Sequence, residues 1–349
     1  MNYPWHGFDE IIDVRSPKEY TEDCIPGAVN LPALSDAERA AVGTMHKNSP
    51  FAARRYGAGL LAANLAAYLQ THMLERPATW RPLVYCWRGG QRSGAVVDVL
   101  QRIGWKAQQL SGGYKAYRHE IINGIALLAA RPSWRVLTGK TGVGKTRLLA
   151  VLRQLGATVV DLEALAEHRG SAFGRLSEQP SQRQFESRLF TALINLPTDG
   201  PVFVEAESRK IGCIHLPQPL LIALRAAPTM QIKAELIYRT THIINDYQEM
   251  REDAAFASAM EVVGKYMERQ RLAQWCRWQQ AGEWEQLVAD LLVSFYDVGY
   301  RQSLSTNYAA TGDCYHVNPN DNESLEEVAR ALIAHSTTQH FSSDKIEVC

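Results

Sequence analysis

The chain has no apolar run long enough to cross a bilayer, no C-x-x-C pair, no internal repeat and no low-complexity tract. The first absence argues against a membrane-spanning helix, because about 20 apolar residues are needed to cover the hydrocarbon core. The opening stretch MNYPWHGFDE also lacks the basic-then-apolar order of a secretory signal, so a cytoplasmic protein is expected. The second absence bears on the cysteines. Cys24, Cys86, Cys213, Cys276, Cys314 and Cys349 are scattered, with no histidine at metal-ligand spacing. A zinc site and a disulfide framework are both disfavoured, and in a reducing compartment each thiol must be read alone. Excess charge is missing too, since Lys+Arg and Asp+Glu each total 37. Bulk charge therefore does not mark a nucleic-acid binder, although a local basic surface is compatible with it.

What is present is a globular composition, 46% hydrophobic and 21% charged, over 349 residues, which suits two domains. Short apolar runs at 11–14, 28–31, 83–85 and 107–110 alternate with helical spacing over 36–42, 56–70 and 93–103. That alternation predicts an α/β fold with a parallel sheet. A helical run over 119–130 is stopped by Pro132. A second alternation then begins with runs at 134–137, 158–160 and 201–204, and residues 246–292 read as almost wholly helical. The expected organisation is one α/β domain over 1–128, a second with a helical extension over 129–336, and a polar, frayed tail over 337–349.

GKTGVGKT at 139–146 follows an apolar strand and opens a helix, the context a phosphate loop requires. Its glycines let backbone N–H groups turn inward, Lys145 reaches terminal phosphates, and Thr146 can hold magnesium. A di- or triphosphate site is the direct reading. Asp161 and Glu205 each end an apolar run, with Glu207 close behind the second, where a magnesium-orienting carboxylate would sit. Each acid can equally be a helix cap or a solvent-facing residue.

YCWRGGQRSG at 85–94 places Cys86 at the end of a strand, ahead of Arg88, Gly89, Gly90, Gln91 and Arg92, with Ser93 opening a helix. Open α/β sheets bind ligands at that end of their strands. A tight loop can converge N–H groups on the sulfur, and the helix N-terminus with Arg88 and Arg92 favours the thiolate. Such a nucleophile suits attack on phosphorus or on a chalcogen, and the loop alone does not separate them. Two further basic stretches stand out. His168-Arg169 is one; the other runs from Lys265 through Arg269, Arg271 and Arg277 among Tyr266, Trp275 and Trp278. Cations with stacking surfaces suit RNA, but on spacing alone the aromatics are better read as the core face of an amphipathic helix.

IIDVRSPKEY (11–20), IPGAVNLP (25–32) and GGY (112–114) resemble the recurring segments of a rhodanese domain. The cysteine loop is one residue longer than in ordinary sulfurtransferases and matches rhodanese-fold phosphatases and arsenate reductases, which implies an oxyanion larger than thiosulfate. CWRGGQRS in the first domain with GKTGVGKT in the second resembles the tRNA 2-selenouridine synthase family. ERAAVGT (38–44), DLE (161–163), HRGSAFG (168–174), ESRKIG (207–212), YD (296–297) and YR (300–301) extend the likeness through nearly the whole chain.

The resemblance implies an enzyme that replaces sulfur by selenium at the wobble 2-thiouridine of tRNA. Selenophosphate is the donor, and an S-geranyl intermediate is made from geranyl diphosphate. No prosthetic group is implied; Mg2+ is compatible with Thr146, and an enzyme supplying selenophosphate is a conceivable partner. Cys86 is then the reactive residue, with Arg88, Gly89, Gly90, Gln91 and Arg92 around selenophosphate. Gly139, Lys140, Thr141, Gly142, Val143, Gly144, Lys145 and Thr146 hold the diphosphate. Asp161, Glu205, Glu207 and Arg209 are candidates for metal or substrate orientation, and His168, Arg169, Lys265 and Arg269 for tRNA contact. The main rival is a rhodanese-type phosphatase or sulfurtransferase fused to a small-molecule kinase, which would turn over NTP without RNA. A third reading is a nucleotide-switched binding module indifferent to loss of Cys86.

Overall fold

The computed structural model describes Trp5 and residues 7–169, 179–246, 256–257, 260–261, 263–300 and 313–342. Two compact units emerge, Met1–Gly124 with Glu186–Phe190, and Ile125–Phe185 with Thr191–Cys349.

In the first unit the chain runs β1 (Glu10–Asp13), α1 (Pro17–Glu22), β2 (Val29–Asn30), α2 (Asp36–Asn48), α3 (Pro50–Gln70), β3 (Pro82–Tyr85), α4 (Gln91–Ile103), β4 (Gln108–Gln109) and α5 (Gly113–Leu128). The sheet order is β2-β1-β3-β4 with every pairing parallel. Every residue of β3 is buried, as expected of a parallel strand covered on both faces. Ile12, Val14, Met73, Trp80, Val84, Val96 and Leu100 fill the core.

The helices α2 and α3 exceed their sequence expectations of 36–42 and 56–70. Ser35 and Glu38 form a reciprocal capping box at the start of α2. Ser49 then caps α3, with Pro50 in the first turn, where a missing N–H costs nothing. Asp13 and Arg15, part of the rhodanese-like signature, lie inside the fold. Arg15 pairs with Asp13 at 2.6 Å, donates to the Asp23 carbonyl at 2.6 Å and stacks 3.8 Å over Tyr114. This signature locks β1 to the following segment.

The second unit contains β5 (Ser133–Thr138), α6 (Lys145–Gln154), β6 (Thr158–Val160), α7 (Leu162–Leu165), α8 (Gln182–Ile194), β7 (Pro201–Glu205), β8 (Lys210–Ile211), β9 (Ile214–His215), α9 (Gln218–Ala226), β10 (Thr229–Lys233) and α10 (Leu236–Asp246). After these come α11 (Arg269–Ala281), α12 (Trp284–Leu291), a π-helical turn Leu292–Tyr296, β11 (Cys314–His316) and α13 (Asn322–Ser342). The sheet order is β11-β10-β5-β7-β6, again all parallel.

Sequence patterning finds β5, β6 and β7 but misses β10, β11 and the β8–β9 hairpin. TMQIK and CYH are short and mixed in polarity, and only pairing makes strands of them, the first beside β5 and the second beside β10. The helical expectation over 246–292 holds for α11 and α12 but not for residues 264–267, which form turn and bend so that Lys265 precedes the helix, and part of that range lies outside the described residues. The tail expected to fray from 337 continues as α13 to Ser342.

Candidate functional site

Strand β3 delivers Cys86 at its C-terminal end, where the chain turns through Trp87-Arg88-Gly89 to Gly90, the N-cap of α4. The segment before α5 closes the back of this turn. Tyr114 N–H donates to the Cys86 carbonyl and Lys115 N–H to that of Trp87, each at 2.9 Å. A Cβ at Gly113 would lie 2.3 Å from the Cys86 carbonyl oxygen, and its φ of +58° is itself one that favours glycine. The GGY segment therefore serves to let two backbones meet.

The Cys86 sulfur is buried, and it accepts from Gly90 N–H at 3.3 Å and from the Ser93 hydroxyl at 3.1 Å. Gln109 on β4 decides which way that hydroxyl points. Its Nε2 lies 3.0 Å from the Gly90 carbonyl and 2.8 Å from Ser93 Oγ. A carbonyl can only accept, so the amide nitrogen must face this side and donate to both. The Gly90 carbonyl also takes the Gly94 N–H at 3.0 Å. Ser93 thus accepts from Gln109 and turns its own proton to the sulfur. Burial disfavours the thiolate, but hydrogen bonds from Ser93, Gly90 and Arg88 outweigh it and hold the thiol below its ordinary value.

The converging loop N–H groups expected from the sequence do stabilise the sulfur, with Ser93 added, whereas the arginine side chains also credited there are not among the main sources. Arg92 is turned to Glu19 at 3.3 Å, and Glu19 also holds Arg39 at 2.8 Å. The backbone of Arg88 contributes while its side chain is exposed, as is that of Gln91. Both lie at the mouth of the loop.

In the second unit, β5 feeds Gly139–Thr146 and α6 begins at Lys145. Gly144 has φ +80°, and a Cβ there would sit 2.6 Å from Pro319 Cβ, so the loop can pass only as glycine. Lys145 Nζ donates to the Gly139 carbonyl at 3.0 Å, folded back over the loop, and Thr146 donates to Glu163 Oε2 at 3.0 Å. Lys140 is committed elsewhere. Its Nζ pairs with Asp297 at 2.7 Å, as does buried Arg239 at 2.6 Å, and Arg239 Nε donates to the Thr141 carbonyl at 2.9 Å. Arg239, absent from the sequence reading, props the loop from behind.

Glu163, Glu205 and Glu207 bring one carboxylate oxygen each within 4.8 Å of the others. Glu205 ends β7 fully buried; its Oε1 accepts the Glu163 N–H at 3.3 Å and its Oε2 has no partner. Burial pushes all three up, and repulsion from the neighbouring acids adds to it at Glu205, raised strongly, and Glu207, raised to about 8, while Glu163 goes upward despite Lys145 and the Thr146 hydrogen bond. Oxygen-only donors beside a phosphate loop, one of them orphaned, suit a hard divalent cation. They line a cavity of about 440 Å3 with Lys145, Thr146, His242, Phe295 and Tyr296.

The remaining expected residues are placed differently. Asp161 caps α7, accepting the Ala164 N–H at 2.8 Å. Arg209 is exposed before the β8–β9 hairpin. His168 is buried, which lowers its proton affinity and takes it off any surface that could meet RNA. Arg169 donates to the Asp246 carbonyl and lines the same cavity. Lys265 and Arg269 are exposed. Trp275 is wholly buried and bonded to Asp290 at 2.8 Å, and Trp278 packs in the same cluster, so these two are core as their spacing suggested, while Tyr266 is 75% exposed.

Two domain families match the two halves of the chain. Residues 3–120 match the rhodanese-like domain, and residues 132–275 match the tRNA 2-selenouridine synthase AAA domain. The tRNA 2-selenouridine synthase of Nitrosomonas europaea is 39% identical over 246 residues, covering 68% of this chain and 63% of its own length. This chain is related to the tRNA 2-selenouridine synthases. The synthase of Bdellovibrio bacteriovorus is 39% identical over 251 residues, 68% of this chain and 64% of its own, and that of Chromohalobacter salexigens 40% over 247 residues. The chain spans a little under two thirds of the length of the Nitrosomonas and Bdellovibrio synthases. The cysteine loop lies within the region matched by the rhodanese-like domain and the phosphate loop within that matched by the AAA domain.

Proposed function

We propose that this protein is a tRNA 2-selenouridine synthase, a transferase acting in the cytoplasm on tRNA that carries a wobble 2-thiouridine. The observation that supports it best is the pairing of a thiolate-stabilising loop at Cys86 with a phosphate loop whose neighbouring acids suit a divalent cation. Two half-reactions then divide between two sites. In the first, the thiouridine sulfur attacks the C1 carbon of geranyl diphosphate. A C–S bond forms, the C–O bond breaks, and diphosphate leaves into the loop at 139–146 with Lys145 as its counter-charge. Thr146, Glu163, Glu205 and Glu207 would hold Mg2+, which supplies charge neutralisation for the departing diphosphate. Phe295 and Tyr296 give the same cavity an apolar wall for an isoprenoid.

In the second half-reaction, selenophosphate meets Cys86, Arg88, Gly89, Gly90, Gln91 and Arg92. Atoms and electrons balance without an outside oxidant when the thiolate attacks phosphorus. The S–P bond forms, the P–Se bond breaks and hydrogen selenide departs; water later cleaves the S–P bond to phosphate. The selenide attacks C2 of the S-geranyl base, expelling geranylthiolate. An enzyme that makes selenophosphate must act upstream.

The test incubates the protein with 2-thiouridine tRNA, geranyl diphosphate, selenophosphate and Mg2+, and digests the RNA for mass spectrometry. S-geranyl and seleno nucleosides are expected. Folded protein that yields neither, or that hydrolyses NTP without RNA, refutes the proposal.

A further inference from the structure

The helical hairpin α2–α3 takes no part in either loop, and beyond Asp36 and Glu38 in the first turn of α2 its charge is one-sided. Between Arg39 and Leu74 the sequence has no Asp or Glu, while His46, Lys47, Arg54 and Arg55 all fall there. All four are exposed, and among the described residues none of their side chains makes an ion pair or hydrogen bond. Ordinary solvated surfaces intersperse both signs. Phe51 and Tyr56 stand beside them, 69% and 46% exposed. Further along α3 the exposed positions 58, 59, 62 and 63 are only Ala or Gly, so no long side chain keeps a partner away from the helix.

The hairpin starts beside the cysteine loop. Glu19 links Arg92 of that loop to Arg39 in the first turns of α2. Arg39, Gly43 and Lys47 follow at i, i+4 spacing on one face, which carries Lys47 about 12 Å from Arg39 along the axis. Val42 lies 3.4 Å from where a Cβ on Gly57 would sit, so α3 returns alongside α2 and sets Arg54 and Arg55 next to the corner.

We infer that the α2–α3 hairpin is a docking surface for the sugar-phosphate backbone of RNA, holding the strand that runs away from the Cys86 loop. The inference rests on the proposed tRNA chemistry and adds where that RNA is held. Unpaired cations meet phosphates, and exposed aromatics beside them offer stacking to unpaired bases. A membrane surface would ask instead for a broad apolar face, and beyond Phe51 and Tyr56 this stripe offers Ala and Gly.

The test is the triple variant Lys47→Gln/Arg54→Gln/Arg55→Gln. Its binding to 2-thiouridine tRNA, and to an unmodified RNA stem-loop, is measured across a KCl series. Affinity for both should fall about tenfold at moderate salt, with the slope of log K against log salt shallower by roughly 2 to 3. The melting temperature and the rate of Cys86 alkylation should not change. Equal affinity and slope in variant and parent overturn the inference while leaving the synthase reading standing. So does a variant that loses binding to anionic vesicles or to polyglutamate yet keeps RNA. A parent that binds the stem-loop through these residues but forms no modified nucleoside refutes the synthase reading and not the surface.

Discussion

At the scale of single residues, reactivity at Cys86 comes from neutral donors. Ser93 and the loop N–H groups touch the sulfur, while Arg92 is held by Glu19. Gln109 acts through Ser93 as a positioning residue. In Gln109→Leu the hydroxyl is free to turn to the Gly90 carbonyl, 3.4 Å away, and the thiol should titrate higher than in the parent. Thiolate absorbance against pH, referenced to Cys86→Ser, reads this directly. In a Ser93→Ala background, itself expected to slow alkylation at neutral pH roughly tenfold, the Gln109 change should add nothing. A further shift in that background would mean that Gln109 reaches the sulfur by another route. Cys86→Ser and Lys145→Ala should separate the half-reactions: the first keeps S-geranyl formation and loses selenation, the second loses S-geranyl formation. Nucleoside mass spectrometry distinguishes them.

At the scale of elements, both loops are held from behind by contacts distant in sequence. The phosphate loop leans on α10 through Arg239, whose guanidinium is 3% exposed and paired to Asp297 just past the π turn. Removing Asp297 strands that charge. Asp297→Ala should cost about 3–5 kcal/mol in denaturant unfolding, the range for breaking a buried pair by deleting one partner. Asp297→Asn, which retains a hydrogen-bond acceptor, should cost less. A loss below about 1 kcal/mol in the alanine variant would show that Arg239 finds water or another carboxylate. The cysteine loop leans in the same way on the start of α5, where Gly113 leaves no room for a side chain.

At the scale of the molecule, the three crowded glutamates make stability depend on pH with an unusual sign. Their folded-state proton affinities are raised, Glu207 to about 8, so the native chain keeps protons that the unfolded chain has released. Stability should therefore fall as pH rises from the ordinary carboxylate range toward about 8 in the presence of a chelator. Mg2+ replaces those protons, so the rise in melting temperature it brings should be larger at pH 8 than at pH 6. Glu205→Gln should melt higher than the parent in chelator and respond less to Mg2+. Calorimetry across pH with and without the ion checks both, and a stability that rises between pH 6 and 8 in chelator would contradict the assignment.

By itself the sequence determined the two α/β patterns, the two loops, the strand ends on which they sit and the likeness to the synthases. These are local signals: period-2 and period-3.6 spacing, a glycine-lysine-threonine motif, a cysteine and an arginine with five residues between them. It could not separate Asp161 from Glu205, two acids at two strand ends, and only the fold made one a helix cap and the other a buried, half-satisfied carboxylate. Nor did it show Gln109, which reaches Ser93 because β4 pairs with β3, or Arg239, which meets Asp297 across 58 residues. His168 looked like an RNA ligand in a string of letters and is buried in the chain, whereas Trp275 is core, as its spacing suggested. Spacing along a chain reports which residues share an element; burial and charge pairing depend on which elements become neighbours, and only tertiary packing decides that.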